Sequence, residues 1–307
     1  MARHLVIVGP TASGKSALAA ALAHARPGVE LVSVDSMQVY TGMDIGTAKP
    51  TPAERAAVPH HLIDVAAPAE RFTVARFAAA ARAALADIDA RGATALCVGG
   101  TGLYVQALLG DLAPPGEFPA VRENLTVQPV EQLYASLRSA DPAAAARIEP
   151  GNKRRIVRAL EVTIGSGRPF SSYGPGVGAY PPTPRFRQVG VWLPREVVAA
   201  RVVARLRAMV ADGLVEEVRS LAQCMGATAR QALGYKEVLA HVEGGVPLEA
   251  TLTEAERRTR AFARRQRVWF RRDPRVRWHG TEAEPMRLLP GLLAELDRCL
   301  DQPIKGG

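Results

Sequence analysis

The chain has 307 residues, 48% of them hydrophobic and 22% charged, with 39 Lys and Arg against 30 Asp and Glu and a net charge of +9. This balance fits a soluble globular protein of two domains, or of one large domain carrying an insertion, and excludes disordered and fibrous classes. The three cysteines, Cys97, Cys224 and Cys299, are far apart and form no CxxC pair; this excludes a disulfide framework and a four-cysteine zinc site and points to a reducing cytoplasm.

The apolar run Leu5-Val6-Ile7-Val8 is closed by Gly9-Pro10, and Ser16 to Ala25 is an Ala/Leu segment of high helix propensity, so the chain opens as strand, loop, helix. The first run is too short for a signal peptide, and no stretch approaches the ~20 apolar residues of a membrane span, so no membrane association is expected. Leu31 to Val34 repeats the strand pattern and ends at Asp35; Arg76 to Ile88 reads as a helix; Ala95 to Val98 forms a third strand that stops at Gly99-Gly100. Strands alternating with helices predict an α/β fold, a doubly wound parallel sheet of the P-loop type with ligands at the carboxyl ends of its strands.

Two Pro/Gly-rich stretches, Asp111 to Pro119 and Gly165 to Pro184, frame an insertion. Within it Val130 to Leu137 and Asp141 to Thr163 read as helices, which predicts a small helical lobe over residues 113–185 inserted into a core of residues 1–112 and 186–307. Val189 to Leu193 resembles a returning strand, and helices are expected over Arg195–Ala211, Leu214–Cys224, Lys236–Glu243 and Leu248–Arg271.

Gly9-Pro10-Thr11-Ala12-Ser13-Gly14-Lys15-Ser16 satisfies GxxxxGKS and lies between a predicted strand and a predicted helix, as a phosphate loop must. Its backbone amides can cradle a diphosphate, the helix amino terminus adds its positive dipole end, Lys15 reaches the phosphates and Ser16 can ligate Mg²⁺. The loop alone leaves open whether that diphosphate belongs to ATP or to another donor. The third strand carries no carboxylate at its end, where a kinase or ATPase would hold its metal. The nearest strand-end acid is Asp35, which can bind metal, accept a proton from a nucleophile, or cap the next turn.

Four segments make a resemblance specific: GPTASGKS; VDSMQVYTGMDIGTAKP from Val34 to Pro50; VPHHLID from Val58 to Asp64; and GGTGLY from Gly99 to Tyr104. With RIVRALEV from Arg155, QALGYKE from Gln231 and WFRRDP from Trp269, in that order, the chain resembles the tRNA dimethylallyltransferase family over nearly its whole length. The resemblance implies transfer of a dimethylallyl group from dimethylallyl diphosphate to N6 of the adenosine at position 37, next to the anticodon, with Mg²⁺ as cofactor. It implies that Asp35 takes the N6 proton and that Thr11 lies near the bridging oxygen. Thr101 would lie near the acceptor base, Ser36, Met37 and Gln38 along the extruded adenosine, and Lys236 near the diphosphate. It also places Arg122 and the run Arg154-Arg155-Ile156-Val157-Arg158 against the anticodon stem-loop.

Arg257, Arg260, Arg264, Arg267 and Arg271 recur at spacings of three and four, one helical stripe about 21 Å long. Such a stripe repels itself unless an anion arrives, so phosphate contact is expected, with Arg264 and Arg267 at its centre. The adjacent His60-His61 point in different directions and read as structural rather than as metal ligands. Competing readings are prenyl transfer to a free adenine nucleotide, a small-molecule kinase, and an RNA-binding protein without catalysis. A monomer is expected.

Overall fold

The computed structural model describes residues 3–110, 115–174 and 178–301. The chain divides into two units, residues 1–108 with 182–307, and residues 109–181.

The larger unit is built on one sheet. β1 (His4–Val8) leads through the phosphate loop into α1 (Lys15–Ala25), followed by β2 (Val29–Ser33), α2 (Pro52–Ala57), β3 (His60–His61), α3 (Val74–Ala90), β4 (Thr94–Gly99) and α4 (Gly102–Leu108). The smaller unit contributes α5 (Pro119–Thr126), α6 (Val130–Ala140), α7 (Pro142–Ala145) and α8 (Lys153–Ser166). The larger unit then resumes with β5 (Phe186–Trp192), α9 (Arg195–Ala211), α10 (Leu214–Leu221), α11 (Tyr235–Gly244), α12 (Leu248–Arg271), β6 (Val276–Gly280) and α13 (Leu289–Leu300).

The six strands are parallel in the order β3-β2-β4-β1-β5-β6. Every residue of β1 is buried, because a central parallel strand is covered on both faces and so reads as a continuous apolar run. Leu5 and Ile7 pack with Leu18 and Leu22 of α1 and with Leu292 and Leu296 of α13. Alternation sends Val6 and Val8 to the opposite face. The carboxyl ends of β2, β4 and β1 therefore lie side by side, the position where open α/β sheets collect ligands.

Two strands were not legible as expected elements. β3 is only His60–His61 and pairs with Leu31 and Val32; His61 Nε2 lies 2.6 Å from Glu30 Oε2, and His60 Nδ1 lies 2.7 Å from the Val58 carbonyl. Both histidines are thus occupied in building the sheet edge. β6 forms the other edge, where Trp278 meets Trp192 edge-on with ring centroids 5.9 Å apart.

The long connection after β2 is held by charges. Lys49, its side chain 1% exposed, donates to the Tyr40 carbonyl, to Asp44 and to Asp64. Glu217 of α10 accepts from the amides of Asp44 at 2.9 Å, Ile45 at 2.7 Å and Gly46 at 3.1 Å, and from the Tyr235 hydroxyl. Much of the segment from Met43 to Lys49 is therefore scaffold for the strand-end residues that precede it.

In the smaller unit, Leu133, Leu137, Ile156 and Leu160 form a core of their own. The expected helical run from Asp141 to Thr163 is interrupted. Asp141 caps α7 through the Ala144 amide, Pro150-Gly151 breaks the chain, and Asn152 caps α8 through the Arg155 amide. The fully buried Glu161 accepts from the Phe118 amide and from Arg122, and forms an ion pair with Arg158. Replacing Glu217 by Ala, in the larger unit, leaves three amides and a buried phenol without their acceptor; a stability loss of about 3 kcal/mol is expected from chemical denaturation.

Candidate functional site

The phosphate loop turns sharply between β1 and α1. Ala12 and Gly14 both have left-handed backbones, φ +60° and +85°, and a Cβ on Gly14 would stand 2.5 Å from Pro285 Cβ. Only glycine combines that conformation with that approach. The loop is held from outside as well: Arg201 Nε of α9 donates to the Ala12 carbonyl at 2.9 Å, and Gln266 Oε1 of α12 accepts from the Thr11 amide at 2.7 Å. Ser13 is fully buried, and its hydroxyl has no hydrogen-bond partner among the described residues.

Lys15 is 9% exposed and donates to the Pro10 carbonyl at 2.6 Å. Burial, reinforced by the nearby positive charge of Arg205 and opposed by Asp35, pulls its pKa down from 10.5 to about 7. Arg205 of α9 is itself held below its ordinary value by burial, again opposed by Asp35. The buried Lys15 and the half-buried Arg205 thus stand with one carboxylate beside the loop, an arrangement that favours an incoming polyanion.

Asp35 follows β2. Its Oδ1 accepts from the Met37 amide at 2.8 Å and the Gln38 amide at 3.4 Å, so it caps the turn, while Oδ2 has no hydrogen-bond partner among the described residues. Thr101, just past β4, presents Oγ1 to the Ser36 amide at 3.3 Å. The phosphate loop, Asp35 with Ser36, and Thr101 therefore occupy the ends of three neighbouring strands.

Other expected residues stand elsewhere or are already engaged. Gln38 bonds to Ser33 and to the carbonyls of Thr47 and Ala48, which makes it part of the loop scaffold. Lys236 donates to Gln231 in a cleft of about 380 Å³ lined by Arg230, Leu239 and Glu243, none of them in the phosphate loop. A second cleft, about 220 Å³, runs from Ser16 along α1 past Ser33, Gln38 and His60.

The arginine stripe needs correction. Arg257 pairs with Glu254, and Arg260 with Glu256, so the stripe is not uncompensated. Arg267 is 6% exposed, donates to the Leu193 carbonyl and lies 3.9 Å from the centre of the Trp192 ring; burial and the neighbouring Arg195 and Arg271 lower its pKa. It is a packing residue, turned inward because α12 buries one face on Leu193, Val198 and Val202. Arg264 remains exposed with no ion-pair partner among the described residues. In the smaller unit, the side chains of Ile156 and Val157 are packed in the core, and Arg122 and Arg158 converge on Glu161, whereas Arg154 and Arg155 are exposed.

Sequence reasoning missed Arg201, Arg205 and Gln266. The first two carry a signal, a four-residue spacing that puts both on one face of α9; among so many arginines it does not stand out. Lys15→Met provides a check on the buried amine. Because the folded pKa lies near 7 and the unfolded one near 10.5, the unfolded chain binds the extra proton between those values, and wild-type stability gains up to ~1.4 kcal/mol per pH unit there relative to the variant. Below pH 7 the difference is constant. Denaturation curves from pH 6 to 10 without added diphosphate test this, and parallel curves for the two proteins would contradict it.

Residues 38–273 match the IPP transferase family, and residues 2–64 match the isopentenyl transferase family. The chain is 52% identical to a tRNA dimethylallyltransferase of Kineococcus radiotolerans over 287 residues, 89% of each chain. It is 50% identical to one of Salinispora arenicola, over 89% of this chain and 81% of that one. Among solved structures, the tRNA isopentenylpyrophosphate transferase of Bacillus halodurans is similar with a TM-score of 0.68 and 36% identity, covering 97% of this chain and 98% of that one. A eukaryotic dimethylallyltransferase acting on tRNA is similar with a TM-score of 0.81 and 25% identity, covering 100% of this chain and 81% of that one. The chain belongs to the tRNA dimethylallyltransferase, or IPP transferase, family.

Proposed function

We propose that this protein transfers the dimethylallyl group of dimethylallyl diphosphate to N6 of adenosine 37 in tRNA, releasing diphosphate. The observation that carries the reading is the meeting of an anion-binding loop, a carboxylate with one unengaged oxygen and a hydroxyl at the ends of three adjacent strands. An aryl amine is a weak nucleophile, so the allylic C1–O bond must be well advanced in breaking as the N6–C1 bond forms. The electron pair of the C–O bond passes to the diphosphate, whose charge Lys15, Arg205 and the loop amides neutralise. The proton leaving N6 passes to Asp35.

Mg²⁺ fits the residues present. Ser16 is exposed at the first turn of α1 and would offer its hydroxyl oxygen to the ion, while the unengaged oxygen of Asp35 is kept for the N6 proton. No group of three or more His, Cys, Asp or Glu among the described residues could hold a metal by itself. Mg²⁺ needs only one or two protein oxygens when phosphates complete its shell, and it would then add positive charge beside the leaving group.

RNA recognition is assigned to the exposed Arg154 and Arg155 of the smaller unit and to Arg264 of the larger one. The adenosine must leave its stack to reach Asp35, at a cost of a few kcal/mol that phosphate contacts offset. A kinase is disfavoured because β4 ends in Gly99-Gly100-Thr101 without a metal-binding acid. We take the enzyme to be a cytoplasmic monomer; none of the described helices is long and apolar enough to cross a membrane.

Incubation with labelled dimethylallyl diphosphate, Mg²⁺ and either tRNA or AMP is expected to label tRNA alone. Label in AMP would shift the reading to a free-nucleotide prenyltransferase. Asp35→Ala is expected to bind dimethylallyl diphosphate as the wild type does and to lose about 100-fold or more in transfer; full activity would remove the proton-acceptor role. Arg264→Glu is expected to weaken tRNA binding and reduce its log-log salt slope by about one, whereas Arg267→Glu is expected to act mainly on folding.

A further inference from the structure

We infer that Gln266 is a positioning residue that sets the distance between the two reacting ends of the site; the inference rests on the prenyl-transfer reading above. Gln266 projects from α12 and is 7% exposed. Its Oε1 accepts from the Thr11 amide at 2.7 Å, and its Nε2 donates to the Gly100 carbonyl at 2.9 Å. One planar amide therefore bridges the phosphate loop at the end of β1 and the Gly99–Thr101 turn at the end of β4.

The chemistry of the bridge is selective. It needs an acceptor facing an amide N–H and a donor facing a carbonyl, on one short rigid group. Lys and Arg offer no acceptor, an ionised Glu offers no donor, and Asn lacks a methylene of reach. The turn has been cut to fit this side chain: a Cβ on residue 100 would fall 2.2 Å from Gln266 Nε2, and a Cβ on residue 102 would fall 2.2 Å from Trp269 Nε1, one helical turn along the same face. Glycine at positions 100 and 102 is what lets α12 approach so closely.

The bridged residues are neighbours of the chemistry on both sides. Thr11 and the loop hold the leaving group, so the Thr11 amide, committed to Gln266, orients that residue toward the donor. Gly100 precedes Thr101, whose Oγ1 faces the Ser36 amide beside Asp35. Releasing the bridge would let the donor loop and the acceptor turn drift relative to each other while leaving the anion-binding groups Lys15, Arg205 and Ser13 in place. A misplacement of about 1 Å costs about 100-fold in rate. The expected signature is therefore a loss in kcat with diphosphate affinity retained.

Gln266→Met and Gln266→Glu test this. Met matches the length without either hydrogen bond; Glu retains the acceptor for Thr11 but places a carboxylate against the Gly100 carbonyl. For both variants kcat for tRNA prenylation is expected to fall about 100-fold, with the dissociation constant for dimethylallyl diphosphate, read by calorimetry, changed less than threefold. Some turnovers are expected to end with water attacking C1, which yields dimethylallyl alcohol and diphosphate without prenylated tRNA. Wild-type kcat in either variant, or a fall in diphosphate affinity matching the fall in kcat, overturns the inference. If Gln266→Met does not fold, the same measurements on Gln266→Glu decide. A wild-type protein that prenylates no tRNA would overturn the functional reading itself and is distinguishable from failure at Gln266.

Discussion

The site depends on an electrostatic mismatch that the fold builds in. Lys15 stands near Arg205, whose positive charge adds to burial in lowering the lysine's affinity for a proton; burial lowers that of Arg205 too, and Asp35 opposes both shifts. A buried ammonium beside a half-buried guanidinium, faced by one carboxylate, is costly to keep charged. A diphosphate with its several negative charges removes that cost, and it does so most strongly as the C–O bond breaks and charge accumulates on the leaving oxygen. On the proposed reading, the same charges serve both binding and the rate.

The rest of the structure keeps this mismatch in place. β1 delivers the loop because it is the buried centre of the sheet, fixed by β4 and β5. Helices α9 and α12 pack against each other through Val198, Val202 and Ala263 and send Arg201, Arg205 and Gln266 back to the loop. The long segment after Asp35 is pinned through Glu217 and Lys49, so residues far from the chemistry decide where the carboxylate stands.

What was legible in the chain follows from range. The phosphate loop, its flanking strand and helix, and Asp35 at the end of a β-branched run are local patterns, and the central strands are readable because a strand buried on both faces is uninterruptedly apolar. β3 and β6 were not: the edge made of His60-His61 has no apolar residue, and the alternation of Val276 and Trp278 with Arg277 and His279 is too short to stand out beside Pro274 and Gly280. Arg267 shows the limit of periodicity. Spacing places it on a helical face without saying that Trp192 and the Leu193 carbonyl will cover it, whereas Glu254 and Glu256, which neutralise two members of the stripe, were in view one turn away. Gln266 had no local signature at all; its role exists only because residues 255 to 166 positions earlier in the chain fold up against it.

The central claim is that the loop grips an allylic diphosphate whose carbon end faces the Asp35–Thr101 turn. Calorimetric titration of the protein in Mg²⁺ with dimethylallyl diphosphate and, separately, with ATP tests it most directly. The account predicts saturable binding of the isoprenoid diphosphate with proton uptake at pH 8, as Lys15 regains its charge, and weaker binding of ATP. Tight ATP binding with no heat from dimethylallyl diphosphate would contradict it.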